Sequence, residues 1–274
     1  MSYIDTHLHL SAPPEPTHRR VVDFATSFAK RFNTRLAVTS NHRRASESAS
    51  GRPAAGLPRQ IEEVSADVAH DLEAYLETRC FDLNIETRMT VLEDYWGHAP
   101  PDGAWQGRLS DICILAAPTG PASLRVAAHW LLHSGKPCLF VPATARTDAR
   151  MDTILIGWDL SREAARAVQD ALPVLQRAAN VHAVTFADEK ALPSPQANDL
   201  LRAYLFARGV EITPATKSAQ NLHVGRGILD YALTIGADAI VMGGYGHGRA
   251  AEIALGGSTH HVLEHTMIPV LLSH

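Results

Sequence analysis

The sequence predicts an α/β protein made of two tandem open parallel five-stranded sheets, each flanked by helices, that pack together as a pseudo-dimer. Three observations support this prediction. Short apolar runs alternate with stretches of helical periodicity, the alternation occurs twice, and matching segments keep their order in the two halves. The chain has 274 residues, which is enough for two domains of ordinary size.

The second half has the clearer pattern of elements. The run DTILIGWD (152–159) is apolar and short, as expected for a strand buried on both faces of a sheet. Ser161 is a predicted N-cap for a helix over 161–178, which has an apolar stripe at helical spacing. The remaining elements are predicted as strand 180–187, helix 195–209, strand 210–216, helix 221–237, strand 238–243, helix 258–266 and strand 268–273.

The first half follows the same order with two departures. Residues 41–57 are polar and rich in Ser, Gly, Pro and Ala, which predicts a mobile surface loop. Residues 98–109 stand where a helix is expected, so that helix is predicted to be short or lost. The other elements are predicted as strand 3–10, helix 16–32, strand 34–40, helix 58–79, strand 85–92, strand 111–116, helix 121–133 and strand 137–142.

Four pairs of segments match between the halves and together indicate an internal repeat. They predict domains over residues 1–146 and 150–274, joined by a link over 143–150. One pair aligns 4–10 with 151–157, so that His7 and His9 correspond to Ile154 and Ile156. The pairs are 35–40 with 181–186, 110–118 with 237–245, 133–141 with 265–273, and 4–10 with 151–157.

The opening strand contains Asp5-Thr-His7-Leu-His9, a pattern with which metal-dependent amidohydrolases present their first zinc ligands. Such a barrel needs eight strand–helix units in one domain, whereas two five-strand units are predicted here. The amidohydrolase therefore stays a remote alternative. His7 and His9 share one face of the strand, and we expect them to be hydrogen-bonded in the sheet-to-helix layer or to face an open pocket.

Composition restricts the class of protein. Hydrophobic residues make up 46%, charged residues 20%, and the net charge is −4, so no basic surplus favours nucleic acid. The apolar runs are too short to span a membrane, and no secretory signal starts the chain, so a cytoplasmic location is expected. Cys80, Cys113 and Cys138 are predicted to be buried free thiols in a reducing compartment.

A glycine-rich stretch, MGGYGHGRAAEIALGGSTHH (242–261), joins a predicted buried strand to a predicted helix. Glycine allows the backbone to approach a ligand closely, and a helix start offers unpaired N–H groups. Together they favour an anion, usually a phosphate. Gly243, Gly246 and Gly256 have the Gly-x2-Gly-x9-Gly spacing of nucleotide-binding universal stress proteins, and the chain resembles a tandem member of that family over both halves.

The resemblance implies the Rossmann-like fold of adenine-nucleotide hydrolase-like proteins and a ligand that is ATP or a related adenine nucleotide, with or without Mg²⁺. Gly243 and Gly246 would cradle phosphates, while Asp159 and Phe186 would face the base and ribose. Trp158 would stack on the base or fill the pocket. The full implied site is Gly157, Trp158, Asp159, Phe186, Met242, Gly243, Gly246, His247, Gly256, Gly257, Ser258 and Thr259.

Two departures from the family pattern bear on this site. Gly257 stands where the family has Ser or Thr, and losing that hydrogen bond to a phosphate costs about 1.5–3 kcal/mol, or roughly ten- to a hundredfold in affinity. The first half has no phosphate loop after strand 111–116 and no acid that matches Asp159. We therefore expect the first half to bind no ATP and to cover the sheet edge of the second.

The leading hypothesis is a stress-response or signalling protein that binds an adenine nucleotide in its second half. It would act through its conformational state or through partner binding, and would form a homodimer. The alternative is an ATP-independent interaction module of the same fold, with an empty or different small-ligand pocket. No nucleophile or paired-carboxylate pattern predicts an enzyme, apart from slow ATP hydrolysis. No metal site is predicted, because adjacent His260 and His261 point about 100° apart on a helix.

Overall fold

The computed structural model describes residues 2–11, 18–44, 59–95, 103–186, 194, 196–218, 223–244 and 257–274. The strands of the first half are β1 Asp5–Leu10, β2 Arg35–Arg44, β3 Thr87–Tyr95, β4 Ile112–Ala116 and β5 Cys138–Val141. Those of the second half are β6 Thr153–Gly157, β7 Asn180–Phe186, β8 Thr213–Lys217, β9 Ala239–Gly243 and β10 Val270–Ser273. They form one sheet in the order β3-β2-β1-β4-β5-β10-β9-β6-β7-β8.

The helices cover both faces of this sheet, which explains why its central strands are apolar throughout. One apolar core, here the first face, contains α1 and α2 of the first half and α4 to α6 of the second. The other core, the second face, contains the 3₁₀-helix Ala104–Leu109, α3, α7 and α8. The helices are α1 His18–Phe32, α2 Arg59–Leu83, α3 Pro121–His133, α4 Arg162–Asp170, α5 Leu172–Leu175, α6 Ala197–Phe206, α7 Val224–Thr234 and α8 Gly257–His265.

The two halves meet at β5 and β10, which pair antiparallel with Phe140 opposite Val270 and Leu139 opposite Leu271. The other strand pairings among the described residues are all parallel. Each half is thus a parallel five-stranded sheet, and the pair makes the predicted pseudo-dimer. The segment between β5 and β6 is packed on the first face, where Ala149 and Met151 are buried. The division at residues 146 and 150 stays a prediction.

The predicted elements are present, although their ends shift by a few residues and one helix is divided. The helix predicted over 161–178 is divided into α4 and α5 near Ala171, because Pro173 has no amide hydrogen to donate. β2 continues to Arg44, so the loop predicted over 41–57 starts later than predicted, and the remainder of that loop lies outside the described residues. The 3₁₀-helix Ala104–Leu109 confirms that the helix predicted to be short or lost is short.

The predicted alignment of the two opening strands is wrong by one residue. Asp111 Oδ2 accepts the N–H groups of Ile4 and Asp5, and Asp238 Oδ2 accepts those of Asp152 and Thr153. Asp5 therefore corresponds to Thr153, not to Asp152. Because side chains alternate along a strand, this shift changes the face. The true counterparts of His7 and His9 are Leu155 and Gly157.

The pairing of β5 with β10, here called the seam, can be tested with a matched pair of phenylalanine substitutions. Phe140 of β5 is fully buried beside β10, whereas Phe81 of α2 is 86% exposed. We expect Phe140→Ala to lower the free energy of unfolding by about 3–5 kcal/mol, because it leaves a cavity at the seam. Phe81→Ala should change it by less than about 0.5 kcal/mol. Urea denaturation measures both, and equal effects would contradict a seam that carries stability.

Candidate functional site

The candidate site lies where β6 and β9 end side by side. β6 pairs with β7 on one side and with β9 on the other. From β6 the chain passes to α4 on the first face, while from β9 it passes to α8 on the second. At such a reversal the two following helices diverge and leave a crevice at the carboxyl ends of the strands, which is where open α/β sheets bind ligands.

Gly243 at the end of β9 requires the absence of a side chain. A Cβ at this position would lie 2.6 Å from the amide N of Ala164 and 2.8 Å from the carbonyl carbon of Glu163. These are backbone atoms of the first turn of α4 and cannot move independently of the helix. Glycine therefore allows the end of β9 to lie directly under the start of α4, at the base of the crevice.

Asp159 stands at the mouth of the same crevice, two residues beyond β6. Its Oδ1 accepts the N–H of Ser161 at 2.9 Å, and Ser161 Oγ accepts the N–H of Ala164 at 3.1 Å to start α4. Between them Leu160 has φ = 57°, a left-handed conformation that is uncommon for a branched residue. The carboxylate is thus fixed in a tight turn. Because β6 pairs with β9, the expectation that Asp159 and Gly243 stand at the ends of neighbouring strands is confirmed.

Trp158 points into the protein. Its indole is 6% exposed, belongs to the core of the first face, and donates its Nε1–H to the carbonyl of Ala197 at 2.9 Å. Of the two predicted roles, filling fits this position and stacking on a base does not. Phe186 at the end of β7 is half-buried on the second face, where a Cβ on Gly227 of α7 would lie 2.7 Å from its ring.

The first turn of α8 forms the far wall of the crevice. Gly257 is exposed, Ser258 is half-buried and Thr259 is buried. Their N–H groups belong to the unpaired first turn of a helix, the part that attracts anions. Met242, at the end of β9, is buried, and its Cβ would be 3.3 Å from a Cβ on Gly157. Gly246, His247 and Gly256 lie outside the described residues.

Two neighbours of the crevice were not predicted from the sequence. Glu163 in the first turn of α4 is only 5% exposed and is paired with Arg162 at 2.6 Å. Burial raises its pKa, but the hydrogen bond and charge of Arg162 outweigh this and leave the pKa below its usual value. His223 caps α7, with Nδ1 accepting the N–H of Gly225 at 3.2 Å. An acid in the first turn after a predicted N-cap is the signal that could have found Glu163.

The equivalent place in the first half is almost filled. With the corrected alignment, Ser11 corresponds to Asp159, and its Oγ lies 3.4 Å from His18 Nε2. A cavity of about 20 Å³ remains between β1, β4 and the start of α3, lined by residues that include His9, Ser11, His18 and Ser123. This volume is enough for about one water molecule and far too small for a nucleotide.

His7 and His9 belong to this filling. Their rings lie 5.3 and 4.6 Å from the ring of Trp130, and His7 Nε2 is 3.0 Å from Thr39 Oγ1. Trp130 in turn rests on the 3₁₀-helix, where a Cβ on Gly107 would lie 2.9 Å from it. The short 3₁₀-helix occupies less room than α7 does in the second half, and these aromatic rings take up the difference. His7 is thus hydrogen-bonded, as one expectation had it, and His9 faces the small cavity, as the other had it.

The structure does not support a metal site formed by Asp5, His7 and His9. Among the residues that the structure describes, no three His, Cys, Asp or Glu side chains are grouped so that they could hold a metal ion. The sheet is also open and ten-stranded, whereas an amidohydrolase needs a closed eight-stranded barrel. The remote alternative is therefore set aside.

A comparison with family models decides the class of the second half. The model described as "Universal stress protein family" matches residues 151–274. The second half of the chain is therefore similar to universal stress proteins. The matched residues contain the crevice between β6 and β9, and β5 pairs with their last strand, β10.

Two solved structures are similar in fold to the whole chain. A universal stress protein from Archaeoglobus fulgidus is 16% identical, with a TM-score of 0.71 over 97% of this chain and 95% of its own. A functionally unknown protein from Pseudomonas aeruginosa is 13% identical, with a TM-score of 0.58 over 99% and 92%. A shorter A. fulgidus universal stress protein, solved in complex with dAMP, is 15% identical and matches 50% of this chain and 97% of its own, with a TM-score of 0.33.

The comparison with curated protein sequences gives no match. Within the described part of the chain, every helix is too short or too polar to span a lipid bilayer.

Gly243 provides a direct test of the crevice floor. Because a Cβ would meet the backbone of α4, we expect Gly243→Ala to lower the free energy of unfolding by roughly 1–3 kcal/mol. Gly120→Ala is the matched control, since a Cβ there meets nothing within 4 Å. Gly120 is the N-cap of α3, so this change should cost at most about 1 kcal/mol and less than Gly243→Ala does. Chemical denaturation measures both variants, and an unaffected Gly243→Ala would contradict the close packing.

The buried histidines predict how stability depends on pH. Burial, followed by the charge of Arg88, lowers the pKa of His7 to about 4, and burial, followed by His7 and His18, lowers that of His9 to about 3. The unfolded chain, with pKa values near 6.5, then binds more protons below that pH. The stabilisation is complete above pH 6.5 and is lost as the pH falls, by up to about 1.4 kcal/mol per pH unit for each histidine.

His9→Phe removes one of the two titrating groups while keeping an aromatic ring beside Trp130. We expect the slope of unfolding free energy against pH, measured by denaturation between pH 6.5 and 4, to decrease by about one proton. The same change at exposed His133 should leave the slope at its original value. If His9→Phe keeps the full slope, His9 is not held neutral in the folded chain.

Proposed function

We propose that the second half binds an adenine nucleotide, ATP or a close relative that arrives with or without Mg²⁺, in the crevice between β6 and β9. The protein would act in a stress response or in signalling by adopting a nucleotide-dependent conformational state. The observation that carries this proposal is the close packing at the switch point, where Gly243 lets the end of β9 lie under the start of α4. The carboxylate of Asp159 and the first turn of α8 follow the same pair of strands.

The charges of the crevice orient the ligand. Asp159 and the buried, ionised Glu163 lie on the α4 side and would repel a phosphate chain. The first turn of α8 has free N–H groups and the positive end of the helix dipole, which favour the same phosphates. The phosphates would therefore lie towards α8, and the ribose and base towards Asp159, whose carboxylate accepts hydrogen bonds from hydroxyl or amine groups.

His223 compensates for the missing hydroxyl at position 257. A Cβ on Gly257 would lie 2.8 Å from His223 Nε2, so the imidazole occupies the space that a serine side chain would need. Because Nδ1 of His223 accepts the N–H of Gly225, the proton of the neutral ring is on Nε2. That N–H is a donor beside the start of α8, and we include it in the proposed phosphate site.

The first half has a supporting role in this proposal. Its own crevice is reduced to a cavity of about 20 Å³, and it covers β10, which would otherwise be an exposed sheet edge. The division into 1–146 and 150–274, a homodimer of chains and a cytoplasmic location are kept as parts of the same proposal.

Calorimetric titration of the full chain with Mg-ATP tests the proposal. We expect saturable binding, and Asp159→Ala should weaken it by roughly ten- to a hundredfold, because a hydrogen bond to a charged group is lost. His223→Asn should weaken it by about tenfold, since asparagine still caps α7 but does not reach the phosphate. Asp148→Ala, a surface change in the segment between the halves, is the control and should bind as the original chain does.

Two results would contradict the proposal. If millimolar nucleotide gives no heat of binding and no rise in melting temperature, the protein is an ATP-independent module of the same fold. If binding persists unchanged in both Asp159→Ala and His223→Asn, the nucleotide occupies another place.

A further inference from the structure

Helix α8 carries two histidines, His261 and His265, on one side of its outer surface. Their ring centroids are 4.3 Å apart, with planes inclined by 20°. Residues four apart in a helix are neighbours along one face, which explains the parallel rings. Both side chains are accessible, since His261 is half-buried and His265 is exposed. The pair therefore forms a small patch of imidazole edges on the surface.

The same arrangement occurs in the other half of the chain. His129 and His133 of α3 precede His261 and His265 by 132 residues, the offset that aligns β5 with β10, and their rings are 4.4 Å apart. The pseudo-symmetry of the molecule thus places one histidine pair on each of the two equivalent helices. Two positions between the histidines differ, because Trp130 and Leu132 stand where α8 has Val262 and Glu264.

The hydrogen bond of His265 determines which of its nitrogens is available. Its Nδ1 lies 2.9 Å from the carbonyl oxygen of His261, and a carbonyl can only accept, so Nδ1 carries the proton. The lone pair of neutral His265 is then on Nε2. A ring N–H that donates to a backbone carbonyl, with a carboxylate nearby, is the usual support of a metal-ligating histidine. Glu264 Oε2 is 3.9 Å from the same Nδ1.

The surroundings of His261 favour its neutral form. Burial, then the proximity of His265 and His223, and finally Arg226 of α7 lower the pKa of His261, while Glu264 opposes them. His223 stacks on His261 from α7 at 5.0 Å. A metal ion binds the neutral form of histidine.

We propose that His261 and His265 chelate a divalent transition-metal ion of the class that prefers imidazole, namely Cu²⁺, Ni²⁺ or Zn²⁺. Histidines at this spacing bind metal on the helices of several metalloenzymes, and His261-Val-Leu-Glu264-His265 has the His-x-x-Glu-His order found in one such group. A small rotation of the stacked rings brings both nitrogens to about 2.0–2.1 Å from one ion. Water completes the coordination, because the described residues offer no third aligned ligand.

The pair on α3 forms a second site of the same kind. It lacks a counterpart of Glu264, so its affinity is lower. Neither site depends on the proposed nucleotide, because both are occupied by the metal alone and use none of the residues assigned to the nucleotide.

Titration of the full nucleotide-free chain with Cu²⁺, followed by calorimetry and electron paramagnetic resonance, tests the proposal. We expect a tighter site with two nitrogen ligands, and at least a tenfold loss of its affinity in His261→Gln and in His265→Gln. His260→Gln is the matched control, since His260 points about 100° away from His261 and should leave the site unchanged. His133→Gln should remove only the weaker site.

Melting temperatures of the metal-free variants establish that each is folded. The proposal is overturned if the chain shows no tight Cu²⁺ site, or if His261→Gln and His265→Gln retain its affinity and spectrum. It is also overturned if His260→Gln weakens binding as much as they do. A failure of nucleotide binding has no effect on any of these outcomes.

Discussion

The antiparallel pairing of β5 with β10 is the contact on which the rest of the structure depends. Without it, each half would be a small parallel sheet with one open hydrophobic edge, which is exposed to aggregation. The pairing joins the halves into one ten-stranded sheet and continues both helical layers across the seam. It also holds β10 beside β9, so that the floor of the candidate crevice is supported from the first half.

The two halves have the same arrangement of strands, but the corresponding places at the strand ends differ. In the second half, α7 is a full helix and glycines stand at the ends of β6 and β9, where they allow close packing. In the first half, a short 3₁₀-helix stands in place of α7, and the rings of His7, His9 and Trp130 pack together beside it. His9 stands at the position of Gly157, so the repeat has an imidazole in the first half where the second half has a glycine.

Much of the fold could be predicted because buried parallel strands and amphipathic helices have distinct periodicities. The position of Asp159 and Gly243 at the ends of neighbouring strands could be predicted for the same reason, since Gly243 ends β9 and Asp159 lies two residues beyond β6. The alignment of β1 with β6 was wrong because both are short apolar runs in which a shift of one residue costs little similarity. The interior position of Trp158 and the approach of His223 to Gly257 depend on contacts between distant segments, and no local pattern reports these.

The most direct test of the central claim is a crystal structure of the full chain grown with an ATP analogue that is not hydrolysed. The account predicts electron density for one nucleotide per chain, with the phosphates at the first turn of α8, the ribose near Asp159, and none at the cavity beside His9 and Ser11. A nucleotide in the first half, or a crevice that stays empty at saturating analogue, would contradict it.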